Sequence, residues 1–375
     1  MRIAFRTDSS LQIGTGHLMR CLTLADGLVR RGHTVLFICR ELAGNVNALV
    51  CERGHRLALL PAPPASGVVT AQENAPAHAA WLGVSQDTDT EQTVAALDRA
   101  GVDKLDWLVV DHYALDTRWE AHLRSRCIRL MVIDDLADRP HDCDLLLDQN
   151  LGQMPATYAH RVPASSKVLA GPQYALLRPE FAALRQYSLN RRAIPRLECL
   201  LVSMGGVDKD NFTGKVLRAL KPGPLPPDCR IKVVIGPHAP ALEHVRALAS
   251  EMPWVTEVLV NVWDIAKLMA ESDLAIGAAG STSWERCCLG IPTILFPVAS
   301  NQISNCAALG KAGAVIALDA RVLTGRGQPE WARAIQDAIE KVEPKLHVMS
   351  QAGARICDGL GTGRLVNELI SENPK

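Results

Sequence analysis

The sequence predicts an α/β protein with two Rossmann-like domains that face each other across a cleft. Short apolar strands alternate with helical patterns along the chain, which is typical of parallel sheets covered by helices. A glycine turn follows the first strand of each half, at 14–16 and at 205–206. The 375 residues are enough for two domains of ordinary size, and a polar, basic segment at 190–196 is the predicted linker.

The first half is predicted to alternate strands and helices. Strands are expected at 2–5, 34–39, 56–60, 107–110, 129–133, 144–148 and 168–170. Helices are expected at 19–31, 46–53, 91–100 and 119–126, and a last helix at 176–187 leaves the domain. Residues 61–91 are rich in Pro, Ala and Ser, so they predict an irregular surface insertion with a short helix near Trp81.

A second α/β series follows the linker. Its strands are expected at 199–203, 231–235, 255–260, 274–277, 293–296 and 314–317. Its helices are expected at 211–220, 239–249, 265–271, 283–289, 302–311 and 329–341. The predicted boundaries are therefore 1–190 for the first domain, 191–350 for the second and 351–375 for a terminal helix.

The composition argues against several classes of function. Lys and Arg together number 40, as do Asp and Glu, and this balance disfavours a nucleic-acid partner. The 11 cysteines are scattered without a CxxC pair, so we expect buried, reduced thiols and no zinc ribbon. The chain shows no secretory signal and no apolar run near the roughly 18 residues of a membrane span. We expect a cytoplasmic protein with no membrane partner, no metal and no cofactor.

The first strand runs into a polar, glycine-rich turn, and the helix after it carries His17 and Arg20. Gly14 and Gly16 allow a tight turn and the close approach of a ligand, and the start of a helix favours an anion. Histidine has the ordinary pKa nearest to neutrality, so His17 is a candidate general base. The motif is equally consistent with a Rossmann-like turn that carries an incidental histidine, because short glycine motifs are weak evidence.

Polar residues follow three predicted strands of the first half, at 111–113, 134–135 and 148–150. Because the carboxyl ends of parallel strands meet at one edge of the sheet, these residues predict a polar pocket that faces His17. Asp8 or another carboxylate is expected to orient the imidazole. Each residue alone is also consistent with a helix cap or a loop.

The second half contains two segments suited to a diphosphate. Residues 201–211 read as a strand, a glycine turn and a helix start that can present backbone N–H groups. In the block 277–294, Ser281 and Thr282 begin a helix, and Glu285 lies about one turn further on. Glu285 is expected to accept hydrogen bonds from two ribose hydroxyls; the alternative is a capping-box carboxylate.

The block 277–294, which contains Leu-Gly-Ile-Pro, resembles the nucleotide-binding half of GT-B glycosyltransferases. The whole chain resembles more closely the UDP-sugar hydrolases of pseudaminic acid biosynthesis, the PseG type. The matching segments are 5–20, 111–113, 134–135, 141–150, 174–178, 204–208, 265–269 and 280–282. They span residues 1 to about 318 in order, and the segment 5–20 is the most specific of them.

The resemblance implies hydrolysis of UDP-2,4-diacetamido-2,4,6-trideoxy-β-L-altropyranose, in a pathway that glycosylates flagellin or a surface polysaccharide. His17 occupies the family's catalytic position and is expected to deprotonate the water that attacks the anomeric carbon with inversion. The expected UDP-binding residues are Gly205, Gly206, Gly280, Ser281, Thr282, Glu285, Asn301 and Gln302. The expected sugar contacts are Asp8, Gly14, Gly16, Arg20, His112, Tyr113 and Asn150. The GT-B resemblance also implies a monomer whose terminal helix packs back on the first domain.

Two other functions remain open at this point. A transferase on the same scaffold would pass the sugar to an acceptor hydroxyl, and a nucleotide-sugar sensor would bind without turnover. The absence of an apolar, basic membrane-docking patch disfavours a lipid acceptor. An NAD-dependent dehydrogenase is disfavoured because Met19 stands where the third glycine of the G-x-G-x-x-G motif is expected.

Overall fold

The chain forms two units, each built on its own parallel sheet, in a computed structural model that describes residues 1–64, 75–223, 225–319 and 327–371. The first unit comprises Met1–Leu176 and Thr362–Lys375, and the second comprises Leu177–Gly361. The prediction of two Rossmann-like halves is confirmed. Part of the predicted surface insertion, at 65–74, lies outside the described residues.

The first unit contains a seven-stranded sheet in the order β3-β2-β1-β4-β5-β6-β7. Its strands are β1 (Arg2–Thr7), β2 (Thr34–Arg40), β3 (Arg56–Leu60), β4 (Leu105–Asp111), β5 (Cys127–Ile133), β6 (Leu145–Asp148) and β7 (Lys167–Ala170). All pairs are parallel, and Thr7 lies opposite Asp111. The strand order reverses between β1 and β4, the point at which such sheets bind ligands at their carboxyl ends.

Local sequence features, such as a glycine turn or a capping hydroxyl, determine where the helices of this unit begin. They are α1 (Gly16–Val29), α2 (Ala48–Glu52), α3 (Gln86–Arg99) and α4 (Thr117–Leu123). α1 begins at Gly16 rather than at 19, so His17 lies in its first turn. α3 begins before the predicted residue 91 because the Ser85 hydroxyl caps it by accepting from the Thr88 N–H. The helix expected near Trp81 is a single 3-10 turn, Ala79–Leu82.

Both faces of the first sheet are covered by apolar clusters. Ile3 and Phe5 pack with residues of α1, whereas Ala4 between them packs with the cluster that holds Leu97 and Trp119. All five side chains are almost completely buried. Burial on both faces explains why the strands read as continuous apolar runs in the sequence.

The second unit contains a six-stranded parallel sheet in the order β10-β9-β8-β11-β12-β13. Its strands are β8 (Cys199–Ser203), β9 (Arg230–Ile235), β10 (Thr256–Val260), β11 (Leu274–Ala278), β12 (Thr293–Phe296) and β13 (Val315–Ala317). Its helices are α5 (Pro179–Arg191), α6 (Phe212–Leu220), α7 (Leu242–Ser250), α8 (Ile265–Ala270), α9 (Thr282–Cys288), α10 (Ile303–Lys311), α11 (Gln328–Val342) and α12 (Leu346–Ile356). The strand order reverses between β8 and β11, which precede the two predicted phosphate-binding segments.

The division between the units falls after Leu176, whereas the sequence analysis places the boundary at 190. α5 belongs to the second unit because its polar side chains bond to that unit. Arg185 donates to the carbonyl oxygens of Cys357 and Ala354. The Ser188 hydroxyl donates to the Leu289 carbonyl oxygen at 2.6 Å.

The end of the chain returns to the first unit in a separate helix, α13 (Gly361–Ser371). A single terminal helix is predicted within 351–375, but α12 ends at Ile356, and Gly359 at φ +82° separates it from α13. A Cβ on Gly27 would lie 2.9 Å from the Val366 side chain, so glycine permits α1 and α13 to pack closely. The Trp107 indole N–H donates to the Leu369 carbonyl oxygen at 3.2 Å.

A network of four buried charges braces the first unit beneath the ends of β1 and β2. Arg6 donates to Asp8 at 2.6 Å and to Asp89 at 2.6 Å. Arg40 also donates to Asp89, at 2.6 Å, and the Trp119 indole donates to the same carboxylate. The four charged side chains are fully buried, so each depends on its partners for compensation.

Asp89→Ala is expected to lower the free energy of unfolding by about 3–5 kcal/mol, because it leaves two buried guanidinium groups with one carboxylate. The matched control is Asp98→Ala on the same helix, whose half-exposed side chain pairs with Arg126. This control is expected to cost less than about 1 kcal/mol. Urea denaturation followed by circular dichroism measures both variants, and equal, small losses would contradict the structural role of Asp89.

Candidate active site

His17 lies where the strand order of the first sheet reverses. It follows β1 in the first turn of α1, and Asp111 ends the adjacent strand β4. The His17 Nδ1 atom lies 2.6 Å from Asp111 Oδ1. Because an ionised carboxylate can only accept, Nδ1 carries the hydrogen and donates it. The lone pair of the neutral imidazole is then on Nε2, where a general base needs it.

Arg20 keeps the Asp111 carboxylate ionised. Its Nε atom donates to Asp111 Oδ2 at 2.6 Å, and its Nη2 atom donates to Oδ1 at 2.7 Å. Burial raises the pKa of Asp111, but the charges of Arg20 and His17 outweigh burial and hold that pKa well below its usual range. The remaining Nη1 atom of Arg20 donates to Asp135. Asp111 is therefore an acceptor for both α1 side chains.

Tyr113 lies against the imidazole. Its ring meets the His17 ring edge-on, with centroids 4.5 Å apart and an interplanar angle of 83°. Its hydroxyl donates to Asp135 Oδ2 at 2.9 Å. His78 and Trp81, both half-buried, lie with ring centroids 5.5 and 5.7 Å from that of Tyr113. This aromatic wall was not predicted, and the isolated Trp81 in a Pro-rich insertion was its only signal.

Asp8 and His112 are expected sugar contacts, but the structure places both in the interior. Asp8 accepts from two nitrogen atoms of the Arg6 guanidinium and from the Arg40 backbone N–H at 2.6 Å. His112 Nδ1 accepts from the Ala114 N–H, and its Nε2 lies 3.2 Å from Asp8 Oδ2. The Asp8 carboxylate has no atom exposed to a ligand, and Asp111 rather than Asp8 orients His17.

Gly14 and Gly16 form the turn that leads into α1. Gly14 has φ +80°, in the left-handed region, and its N–H donates to the Ser10 carbonyl oxygen at 2.8 Å. Gly16 is the first residue of α1, and the Thr15 side chain does not cap the helix. The turn thus brings backbone N–H groups close to His17 without a competing side chain.

Asn150 joins the site through Asp135. Its side-chain amide donates to the Asp135 carbonyl oxygen at 3.0 Å. The Asp135 carboxylate accepts from Arg20 and from Tyr113. Three of the predicted sugar-binding residues therefore meet at Asp135, a strand-end residue that the sequence analysis gave no specific role.

A second buried carboxyl group lies behind Asn150. Asp148 is fully buried, and the Tyr158 hydroxyl lies 2.9 Å from its Oδ2 and 3.1 Å from Asp134 Oδ2. Burial, and then the charge of Asp135, raises the pKa of Asp148 to about 8. Asp148 therefore retains its proton to a higher pH than an ordinary carboxyl group, which lowers the negative charge at this crowded edge of the sheet.

The glycine turn of the second unit differs from the expected phosphate cradle. The Asp208 carboxylate accepts from the first two N–H groups of α6 at 2.8 Å each, and Asn211 accepts from the third. The start of α6 is thus capped by the protein itself. Gly205, at φ +102°, and Gly206 are exposed in the turn before it. Backbone groups of the turn, not of the helix, remain accessible to a ligand.

The start of α9 has no side-chain cap: the hydroxyls of Ser281 and Thr282 do not cap the helix, and the Glu285 carboxylate does not form a capping box. Ser281 is exposed and makes no side-chain cap bond, and Thr282 is half-buried, so the alternative of a capping box with Glu285 is not observed. Burial raises the pKa of Glu285 to about 6, against the opposing charges of Arg178 and Arg286. A raised pKa indicates that the protein supplies too few hydrogen bonds to the ionised carboxylate.

Gln302 lies against this segment. Its Nε2 atom is 3.6 Å from the position that a Cβ on Gly280 would occupy, and its Oε1 accepts from the Val298 N–H at 3.0 Å. Asn301 lies in the same 3-10 turn, Ser300–Gln302, after β12. Gly280 and Gln302, which follow adjacent strands, therefore lie close together.

The described residues offer neither a metal-binding cluster nor a membrane-spanning helix, and their cysteines form no disulfide. No group of three or more His, Cys, Asp or Glu side chains among them is arranged to hold a metal ion. None of the helices within 1–64, 75–223, 225–319 and 327–371 combines the length and apolar character needed to span a bilayer. All cysteines except Cys51 are buried, and each is a free thiol.

Comparison with known proteins agrees with this fold. Residues 232–355 match the glycosyltransferase family 28 C-terminal domain, a third of the chain. The chain is 26% identical over 314 residues to the UDP-2,4-diacetamido-2,4,6-trideoxy-beta-L-altropyranose hydrolase of Campylobacter jejuni, covering 84% of this chain and 97% of that protein. The resemblance to hydrolases of this type is thereby confirmed.

Two further similarities extend the comparison. An uncharacterized protein of Methanocaldococcus jannaschii is 23% identical over 300 residues, or 79% of this chain, and the match spans just 55% of that protein's length. The crystal structure of MurG from Acinetobacter baumannii superposes with a TM-score of 0.67 at 16% identity and covers 99% of both chains. The fold is therefore GT-B-like, as predicted.

Asp148→Asn is expected to change how stability depends on pH. The folded-state pKa of about 8 exceeds the ordinary carboxyl pKa of about 3.9, so the folded protein retains a proton that the unfolded chain releases. The free energy of unfolding therefore falls as the pH rises from about 4 to about 8. An amide cannot ionise, so the variant should gain roughly 2–4 kcal/mol relative to wild type between pH 5 and pH 8.

Urea denaturation at both pH values measures this difference. Asp98→Asn is the control, because it makes the same substitution at an exposed carboxyl that pairs with Arg126 on the surface. Parallel pH profiles for wild type and Asp148→Asn would show that Asp148 is ionised in the folded protein.

Proposed function

We propose that this chain is a cytoplasmic UDP-sugar hydrolase. The proposed reaction cleaves UDP-2,4-diacetamido-2,4,6-trideoxy-β-L-altropyranose to UDP and the free sugar in pseudaminic acid biosynthesis. The observation that carries the proposal is the His17–Asp111 pair, with Nδ1 2.6 Å from the carboxylate and Nε2 left to accept a proton. The similarity to the Campylobacter jejuni hydrolase, which extends over 97% of that protein, supports the same substrate.

In the proposed mechanism His17 Nε2 takes a proton from a water molecule as its oxygen attacks the anomeric carbon. The bond between that carbon and the β-phosphate oxygen breaks, and UDP leaves with the electron pair. Attack from the face opposite UDP inverts the configuration. Asp111 stabilises the imidazolium that forms, because its ionised carboxylate accepts the Nδ1 hydrogen throughout.

The leaving diphosphate needs hydrogen-bond donors where its charge develops. We assign the exposed turn of Gly205 and Gly206 and the hydroxyls of Ser281 and Thr282 to this role. Glu285 accepts from the ribose hydroxyls in this scheme. Gly280, Asn301 and Gln302 complete the proposed UDP-binding set.

The sugar is assigned to the residues that converge around His17. Asp135 accepts hydrogen bonds from Tyr113, Asn150 and Arg20 and so fixes their positions. These three side chains form a rigid polar surface that can bind the hydroxyl and acetamido groups of the sugar. Gly14 and Gly16 lie in the turn before His17 and allow close approach. Asp8 and His112 are omitted from this set because they are buried in the interior network.

A transferase reaction is the second candidate, because the domain family that matches residues 232–355 is named for glycosyltransferases. The deciding experiment incubates the purified protein with the UDP-sugar and no acceptor and follows UDP release. Turnover without an acceptor, with oxygen from labelled water in the sugar product, supports hydrolysis. UDP release that requires an added acceptor would establish transfer instead.

His17→Asn is expected to lower kcat about 10²–10⁴-fold, the usual contribution of a general base, and to leave UDP affinity within about twofold. The matched control is His55→Asn, because His55 also pairs with a carboxylate, Asp26, at 2.7 Å but lies outside the site. Steady-state kinetics and calorimetry with UDP measure both effects. Unchanged turnover in His17→Asn would remove this residue from the mechanism.

Glu285 is expected to make nucleoside binding depend on pH. The ionised carboxylate accepts ribose hydroxyl protons better than the neutral acid, and its pKa is about 6 before binding. The Kd for uridine should therefore be constant above about pH 7 and rise as the pH falls below 6. Uridine is the probe because, unlike UDP, it has no phosphate that titrates in this range.

The variant Glu285→Gln should bind uridine more weakly at pH 8 and show no inflection near pH 6. Glu243→Gln is the control, since the Glu243 side chain is exposed and pairs with Arg246 on the surface. Calorimetric titrations from pH 5 to pH 8 provide the data. A flat wild-type profile would refute the ribose-binding role.

A further inference from the structure

Arg286 is a buried cation beneath the candidate diphosphate site. It lies in α9, and the residue is 2% exposed. None of the carboxylates among the described residues lies within ion-pair distance of its guanidinium. Its hydrogen bonds go to three neutral acceptors: the Ala278 carbonyl oxygen at 2.6 Å and the hydroxyls of Thr282 and Ser283 at 3.2 Å each.

This environment differs from that of another buried arginine in the same unit. Arg192 also lacks a carboxylate partner within the described part of the chain, but it donates to the carbonyl oxygens of Ser188, Ala270, Met269 and Ser272. Several carbonyl oxygens disperse that charge. Arg286 has a single carbonyl partner and two hydroxyl partners, and burial lowers the pKa of both arginines to about 10. Arg286 therefore has fewer carbonyl acceptors than Arg192 to offset its positive charge.

The guanidinium lies next to both proposed phosphate-binding segments. A Cβ on Gly277 would lie 2.5 Å from Arg286 Nη1 and 2.9 Å from the Ser203 carbonyl oxygen. Glycine at 277 therefore leaves the space that the guanidinium occupies at the end of β11. Ser203 ends β8 and precedes the turn of Gly205, so the charge lies below the point where the strand order reverses.

The hydrogen bond from Arg286 to Thr282 orients the Thr282 hydroxyl group. Arg286 Nη1 donates to Thr282 Oγ1, so the hydroxyl hydrogen of Thr282 points to another acceptor. A hydroxyl that accepts from a cation is also a stronger donor, because hydrogen bonds in a chain polarise one another. An anion bound outside Thr282 would receive this hydrogen and offset the buried charge.

We propose that Arg286 is a positioning residue for the diphosphate of the ligand: it orients the Thr282 hydroxyl and supplies the buried positive charge that a diphosphate neutralises. The proposal rests on the proposed function, since it takes UDP as the ligand. It assigns the discrimination between nucleoside and nucleoside diphosphate to a residue that does not touch the ligand itself.

The test compares the affinities of uridine and UDP by calorimetry in the full-length protein. Arg286→Met is expected to weaken UDP binding at least tenfold and uridine binding less than twofold. Arg286→Lys should recover part of the UDP affinity because it restores the charge. Thr282→Val alone should weaken UDP binding, and added to Arg286→Met it should cost little more, since both changes break the same chain of bonds.

Arg192→Met is the matched control, because it removes a buried arginine of the same unit that is bonded to carbonyl oxygens. It is expected to change the ratio of uridine to UDP affinity less than twofold. Equal losses for uridine and UDP in Arg286→Met, or an unchanged UDP affinity, would overturn the role of Arg286. If Arg286→Met does not fold, Arg286→Lys and Thr282→Val provide the test. An unchanged ratio of uridine to UDP affinity in both variants would overturn the role of Arg286. A wild-type protein that does not bind UDP would instead refute the proposed function.

Discussion

The carboxylate of Asp111 is the group on which the active-site account depends. One of its oxygens accepts from His17 Nδ1 and the other from Arg20 Nε, so a single side chain fixes the imidazole and is itself kept ionised. Its position follows from the fold, because Asp111 ends the strand that neighbours β1 in the sheet. The histidine and the carboxylate are 94 residues apart in sequence, and only parallel pairing at the reversal of strand order joins them.

Both units contain buried charged side chains. Those with ion-pair partners stabilise the fold, whereas those without such partners are candidates for a role in ligand binding. Asp8 and Asp89 share the Arg6 guanidinium, Asp89 also pairs with Arg40, and both carboxylates are satisfied within the protein. Glu285 and Arg286 are not: the carboxylate has a raised pKa and the guanidinium has no acidic partner within the described residues. Charged groups that the protein leaves without an ion-pair partner near the end of a central strand are expected to act on a ligand, either by direct contact or through a neighbouring side chain.

The sequence predicted the architecture well because its signals were local. Apolar strand patterns located all thirteen strands of the described residues, and the turn before His17 located α1. It could not tell which polar residues at a strand end face outward, so Asp8 was expected to contact sugar although it is buried. Contacts between distant segments were also inaccessible, such as the aromatic wall that Trp81 forms with Tyr113. Helix starts were misjudged where a capping residue such as Ser85 acts before the apolar pattern begins.

The most direct test of the central claim is the protonation state of each ring nitrogen of His17, measured by nuclear magnetic resonance on protein with ¹⁵N-labelled histidine. Above the pH at which the imidazole becomes neutral, the account predicts a hydrogen on Nδ1 and none on Nε2, and a loss of this preference in Asp111→Asn. A hydrogen on Nε2 in the neutral wild-type ring would contradict the account, because that nitrogen could not then accept a proton from water.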